Sequence, residues 1–230
     1  MKSLFLIPAR AGSKGIIKKN IRVIGGKPLV LHALSQARSY ASDNDICLST
    51  DDTEVINVAA SEGYKIPFIR PEHLANDNSG MREVILHAID FYATLGRTYD
   101  NVVLLQPTSP FRQPEMIGKA LELFDSSIDM VASVMESKAN PYFVLFEDND
   151  NGLLVKTKTG EFKSRQECPK VWQLNGAIYV INTTSLAKSS IADFTRIRKL
   201  VMDQLHSLDL DTEIDWKLAQ LLNEEYNLLS

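Results

Sequence analysis

The sequence predicts an α/β domain built on a mainly parallel β-sheet, and three observations predict it. Short apolar runs recur at Leu4 to Ile7, Ile46 to Ser49, Pro67 to Ile69, Val102 to Leu105 and Met130 to Val134. Segments with helical apolar spacing lie between them, and that alternation is the pattern of βαβ units covering both faces of a parallel sheet. Polar segments rich in Gly, Pro, Lys or Arg follow the first and the Val102 runs directly, where loops at the carboxyl ends of parallel strands converge on ligands.

Each element can be justified in turn. The helices show as stripes: Leu29, Ala33, Leu34 and Ala37, then Val55, Val58 and Ala59, then Val84, Ile85, Ala88 and Ile89. Residues at these spacings share one helical face, which the sheet would bury. After Val134 the pattern changes. Asn140-Pro141, Glu147 to Gly152 and Lys158-Thr159-Gly160 supply turns between short strand-like pieces, so this stretch reads as a β-rich excursion. Ala177 to Ile181 and Leu200 to Met202 read as strands returning to the sheet, and Glu213 to Leu222 as a helix with a stripe of Ile214, Leu218 and Leu221. One main domain spanning 1–230 accounts for the chain.

The composition is that of a globular protein, with 44% hydrophobic and 23% charged residues. A formal net charge of −4 argues against a surface built for nucleic acid, which is normally basic. No apolar run approaches the roughly 20 residues that span a bilayer, and Leu4 to Ile7 is too short for a signal peptide, so no membrane partner and a cytoplasmic location are expected. Cys47 and Cys168 lack zinc or redox spacing, and His32, His73, His87 and His206 lack ligand spacing. All six read as packing or surface residues.

The segment Pro8 to Gly15 reads Pro-Ala-Arg-Ala-Gly-Ser-Lys-Gly. Gly12 and Gly15 permit close backbone approach and leave N–H groups pointing at an anion. Arg10 and Lys14 add positive charge, Lys18 and Lys19 extend it, and Asn20 offers an amide; a polyphosphate is the natural guest. The glycine spacing matches neither a P-loop nor a dinucleotide fingerprint. A solvated, lysine-rich turn is the alternative.

Near the other end, Asp209 and Asp211 are separated by one residue, so an extended backbone sets both carboxylates on one face. Magnesium takes one or two carboxylates together with phosphate oxygens and water. The same stretch also suits helix capping, with Thr212 as N-cap and Asp215 at the third helical position, and the two readings are compatible. Gln106 to Arg112 follows another strand and should emerge at the same edge, with Gln106 as its contact residue. Ser49 to Asp52 receives no role beyond a cap from Asp52 or Thr53. Arg165, Trp172, Asn175 and Tyr179 stand where the excursion rejoins the domain, and an arginine fork there suits a carboxylate; packing and a surface ion pair are the alternative.

Taken in order, Ile7 to Gly15 with Lys19-Asn20, Leu105 to Pro110, Asn175 to Tyr179 and Asp209 to Thr212 resemble the acylneuraminate cytidylyltransferase family. Arg70-Pro71 and Leu74-Ala75 through Asp77 add to the resemblance, which covers nearly the whole chain. It implies a Rossmann-like α/β nucleotidyltransferase domain with an inserted β-rich dimerisation element at about 137–171, a homodimer, and magnesium as the cofactor. Its substrates would be CTP and a sialic-acid-type nine-carbon sugar acid.

The resemblance also implies roles. Arg10, Ala11, Gly12, Ser13, Lys14, Asn20 and Arg70 would bind the nucleotide, and Asp209 and Asp211 the metal. Gln106, Arg165, Asn175, Gly176 and Tyr179 would meet the sugar. Arg10, Lys14, Lys19, Gln106 and Asp211 would serve the chemistry. Some relatives carry an arginine where this chain has Gln173, so sugar recognition is expected to differ here. The arginine-rich motif of deoxyoctulosonate cytidylyltransferases is absent, which disfavours an eight-carbon sugar. A nucleotidyltransferase for another sugar and a non-catalytic nucleotide-binding protein stand as the alternatives.

Overall fold

The computed structural model describes residues 1–76 and 79–229. The chain runs through β1 (Ser3–Pro8), the short strands β2 (Val23–Ile24) and β3 (Lys27–Pro28), α1 (Leu29–Arg38), β4 (Ile46–Ser49), α2 (Thr53–Ser61) and α3 (Met81–Thr94). It continues through β5 (Asn101–Leu104), α4 (Pro114–Leu123), β6 (Met130–Glu136), β7 (Phe146–Asp148), β8 (Leu154–Lys156), β9 (Trp172–Asn182), α5 (Thr183–Lys188), β10 (Ile197–Val201) and α6 (Glu213–Tyr226).

Six strands form the central sheet in the order β10-β6-β9-β5-β1-β4. The β10–β6, β5–β1 and β1–β4 pairs are parallel, while β9 lies antiparallel to both of its neighbours. The expected mixed α/β architecture with a mainly parallel sheet is what the chain adopts.

Side chains of a strand alternate between faces, and two cores follow from that. Phe5, Ile7, Leu48 and Val103 pack with Leu34 and Ala37 of α1, Val55 of α2 and Ile117 of α4. Leu4, Leu6, Cys47 and Val102 face the other way, against Ala88 and Tyr92 of α3 and Leu186 of α5. Strands buried on both sides read as unbroken apolar runs, which is why β1 was legible.

A third cluster positions the site. Ile16 from the loop after β1, Phe111 from the loop after β5, Leu210, and Trp216 of α6 are buried together. Burying Ile16 contributes about 1.5–3 kcal/mol, comparable with the backbone entropy lost by one or two ordered residues. Apolar packing therefore anchors the loop at that point, while Lys14 and Gly15 beside it stay exposed.

The structure corrects three expectations. Pro67 to Ile69 forms no strand; Ile69 makes only an isolated bridge to Thr50. The stripe on α6 faces outward, since Ile214, Leu218 and Leu221 are 78%, 43% and 63% exposed, whereas Trp216 and Ala219 carry the buried face. The last strand lies at Ile197–Val201, earlier than Leu200 to Met202. The helix α4, with Pro114 in its first turn and Ile117 and Ala120 buried, has no counterpart in the sequence reading.

Between Glu136, which pairs with Trp172, and the start of β9 the chain leaves the sheet. A bond from Ser137 N–H to the Val171 carbonyl (2.9 Å) closes the base of this excursion. Its β7–β8 hairpin exposes Leu145, Phe146, Leu153, Leu154 and Val155.

Candidate active site

The loops after β1, β4 and β5 meet at the carboxyl edge of the parallel strands, as open α/β sheets require of a binding crevice. The first loop is braced from below. Ala9 N–H donates to the Ser49 carbonyl (2.9 Å) and Ala11 N–H to the Asp51 carboxylate (2.8 Å). The buried Asn20 donates its amide N–H to the Arg10 carbonyl at 3.1 Å, so part of its hydrogen bonding shapes the loop itself. Arg70, 5% exposed, donates to the Ser49 hydroxyl (3.0 Å) and carbonyl (2.6 Å). Burial lowers its pKa from the usual value; Asp51 opposes that shift and Arg10 adds to it.

The loop and the acidic pair, 191 residues apart for Lys19 and Leu210, meet directly. Lys19 Nζ donates to the Leu210 carbonyl at 2.6 Å and lies 3.6 Å from Asp211 Oδ1. The Gly15 backbone passes so close to Asp211 that a Cβ there would overlap the Asp211 carbonyl oxygen. The cap also forms: Thr212 Oγ1 accepts from Asp215 N–H, and Asp215 accepts from the N–H groups of Thr212 (2.7 Å) and Asp211 (3.2 Å). Capping thus employs Thr212 and Asp215, and the Asp211 side chain stays 72% exposed.

Packing raises the Asp209 carboxyl above its ordinary pKa; a hydrogen bond involving the Thr108 side chain and the charge of Lys19 oppose the shift, while Asp211 and Asp215 add to it. Two carboxylates that repel each other beside a cationic cleft form a donor set that a hard dication relieves. Among the described residues, no group of three or more His, Cys, Asp or Glu could hold a metal. As two carboxylates, Asp209 and Asp211 would suit an ion that takes its other ligands from substrate oxygens and water.

Three hollows lie along this edge, two of them lined by Gln106 and two by Tyr179. One, about 340 Å³, is lined by Arg10, Lys14, Lys19, Arg70, Gln106 and Asp211. A second, about 730 Å³, is lined by Gln173, Leu174, Gly176, Tyr179, Asp209 and Leu218. The third, about 460 Å³, touches both Gln106 and Tyr179. Gly176 borders Gln106 through an irregularity where β9 leaves register with β6 between Ala132 and Val134. Its φ of +71° is the left-handed conformation that glycine tolerates best. Its N–H donates to the Tyr179 hydroxyl (3.1 Å), and a Cβ would stand 3.4 Å from the Gln106 amide nitrogen.

Two of the expected sugar residues stand differently from the rest. Asn175 is buried, with Oδ1 accepting from the Ser133 hydroxyl (2.5 Å) and Ala177 N–H (3.2 Å) and Nδ2 donating to Ser207 (2.8 Å). Its side chain is committed to the bulge. Arg165 lies in a one-turn helix of the excursion and lines a separate hollow with Ser137, Asn140 and Lys170. Ala11, Gly12 and Ser13 remain on the first loop, and Asp77 falls outside the described residues. Asp51, Thr108 and Arg112 are structural partners of the site that the sequence reading left without roles. Asp51 follows a strand directly, but only its bond to Ala11 N–H distinguishes it from the capping Asp52 beside it.

A sequence model described as cytidylyltransferase matches residues 4–224. The chain is 32% identical over 225 residues to a CMP-N,N'-diacetyllegionaminic acid synthase of Legionella pneumophila, covering 97% of each. It is 30% identical to a pseudaminic acid cytidylyltransferase of Campylobacter jejuni, covering 96% of each. An N-acylneuraminate cytidylyltransferase of Escherichia coli is 29% identical, with 98% of this chain matching 53% of that one. The solved structure of a CMP-2-keto-3-deoxy-manno-octonic acid synthetase complexed with CTP superposes with a TM-score of 0.72 at 19% identity, over 98% of this chain and 100% of that one; this supports the fold.

Proposed function

The chain belongs to the cytidylyltransferase family, as its motifs implied, and from that premise we propose that it couples CTP to a sialic-acid-type nine-carbon sugar acid, yielding a CMP-sugar and pyrophosphate. The observation that carries this reading is the contact between the Lys19-bearing loop and the Asp209–Asp211 segment, which gathers cations and paired carboxylates around one cleft. The relatives named for legionaminic, pseudaminic and N-acylneuraminic acids support the sugar class.

In this reading the anomeric hydroxyl attacks the α-phosphorus in line. The new oxygen–phosphorus bond forms as the bond to the β-phosphate oxygen breaks, pyrophosphate departs and the hydroxyl proton is released. Arg10, Lys14 and Lys19 stabilise charge developing on the leaving group, and positioning supplies much of the rest. Asp209 and Asp211 would hold magnesium, whose chemistry is to neutralise phosphate charge and acidify the hydroxyl. Arg70 would flank the nucleotide, while Gln106, Gly176 and Tyr179 would border the sugar. Leu174 and Leu218 give the larger hollow apolar walls, and Gln173 lies on its rim.

Incubating the protein with CTP, magnesium and each of N-acetylneuraminic, legionaminic and pseudaminic acids should release pyrophosphate with at least one acid and leave the corresponding CMP-sugar. Binding of CTP without turnover on any acid would favour the non-catalytic alternative. Product formation from another nucleoside triphosphate or from deoxyoctulosonate would redirect the base or sugar.

A homodimer follows from the same reading. The exposed apolar hairpin of the excursion and the outward stripe of α6 are surfaces that a second copy would cover. Arg165 lines a different hollow from Tyr179 in its own chain, and in this reading it would seat the sugar acid bound to the second copy. Sedimentation should give twice the chain mass. Coexpressed Arg165→Ala and Asp211→Ala chains should then recover activity that neither has alone; a monomer, or no recovery, would reject the shared site.

A further inference from the structure

Arg112 is only 2% exposed and makes no ion pair among the described residues. Its Nε donates to the Ser109 carbonyl at 3.0 Å, and Nη2 donates to the Gln106 carbonyl. Nη1 has no hydrogen-bond partner. From α1, Gln36 Nε2 donates to the carbonyls of Pro110 (3.2 Å) and Arg112 (2.9 Å), closing the turn on its other side. Burial lowers the guanidinium pKa to about 9, against the pull of Asp209, so the group remains a cation at neutral pH. An unpaired buried charge is costly to a fold. A site that retains one needs the planar two-donor fork that lysine lacks.

The two carbonyls held by Arg112 flank Pro107-Thr108. The Thr108 carbonyl in turn accepts the Leu210 N–H at 2.8 Å, between the two acidic residues. Leu210 is fully buried beside Phe111, and its own carbonyl accepts from Lys19. A continuous set of bonds therefore runs from Arg112 through the Gln106–Ser109 turn to the Asp209–Asp211 segment. Lys19 joins the loop after β1 to this set at the Leu210 carbonyl.

We infer that Arg112 is a positioning residue, whose fork holds the Gln106–Ser109 turn in register with the Asp209–Asp211 segment so that the amide and both carboxylates act as one rigid unit. The kinetic consequence rests on the proposed function. Displacement of reacting groups by about 1 Å commonly costs on the order of 100-fold. Arg112→Lys, which keeps the charge and loses the fork, should lower kcat by about 30- to 100-fold. KM for CTP should change less than about threefold, because Arg112 donates to Ser109 and Gln106 and to no residue of the phosphate loop.

Amide hydrogen exchange tests the coupling without any assay of activity. In the wild type, the N–H groups of Ser109, bound to the Gln106 carbonyl at 3.3 Å, and Leu210 should open together, with protection matching within about threefold. In Arg112→Lys both should exchange at least about tenfold faster while β1 amides are unchanged. Unequal protection in the wild type would overturn the inference, whether or not any variant folds. Unchanged exchange at Leu210 in a folded Arg112→Lys chain would also overturn it, as would a raised KM for CTP with intact kcat. A wild type that exchanges as expected but releases no pyrophosphate would refute the proposed reaction while leaving the coupling standing.

Discussion

Replacing Asp211 with alanine should lower kcat by about 100- to 1,000-fold, the usual range for removing one transition-state partner, without loss of fold. The separation of activity from stability follows from how the acidic stretch is divided. The Asp211 side chain is 72% exposed, and its only ion pair among the described residues is with Lys19 at 3.6 Å; Lys19, 12% exposed, keeps its bond to the Leu210 carbonyl when Asp211 is removed. A pair open to solvent on the carboxylate side contributes on the order of 1 kcal/mol. Asp215, by contrast, belongs to the capping box. Asp215→Ala should cost about 0.5–2 kcal/mol of stability and leave most of the turnover. Lys14→Ala should resemble Asp211→Ala, with a comparable kinetic loss and an unchanged melting temperature. Steady-state kinetics at saturating magnesium, paired with thermal melts, check all three. Full turnover in Asp211→Ala would remove that carboxylate from the chemistry, and a stable but inactive Asp215→Ala would mean that the cap and the site had been wrongly separated.

What could be read from the sequence depended on how local its cause was. The strands β1, β4 and β5 were legible because burial on both faces leaves unbroken apolar runs, and α1 to α3 because one face packs on the sheet. The same rule misled at α6. Ile214, Leu218 and Leu221 have helical spacing, but Trp216 offers more area to bury and turns the other face inward. At Pro67 to Ile69 the apolar residues lie beside the edge strand β4, where the chain makes one bridge before Arg70 turns into the cleft. The glycine-rich loop and the Asp209–Asp211 pair stood out by residue type and spacing, and the structure brings them together. Asp51, Thr108 and Arg112 carried theirs only in partners far along the chain, since nothing in composition separates an arginine that is buried under a turn from one in solvent. Asn175 shows the converse: its residue type suggested a ligand contact, while Ser133 and Ser207 already occupy its amide.

Gly15→Ala should cost about 100-fold in kcat/KM through one methyl group. Gly15 is not among the residues with positive φ, so alanine meets no backbone prohibition there. The obstacle is the Asp211 carbonyl, whose oxygen and carbon would both lie against the new Cβ. These are backbone atoms of a segment already pinned by Thr108, by Lys19 and by the buried Leu210, so no side chain can swing aside. Either the loop after β1 or the acidic segment must retreat, and the spacing between the loop's cations and the two carboxylates is lost. Overpacking of this kind typically destabilises by about 1–3 kcal/mol, so a modest fall in melting temperature should accompany the kinetic loss. Gly12→Ala provides the contrast. Gly12 has a φ of +72° and nothing within 4 Å of a new Cβ, so alanine there should carry about 1–2 kcal/mol of backbone strain with activity falling much less. Comparing the two variants separates close approach from backbone freedom as the reason for each glycine. Near-normal kcat/KM in Gly15→Ala would mean that the phosphate loop and the acidic segment do not depend on their contact.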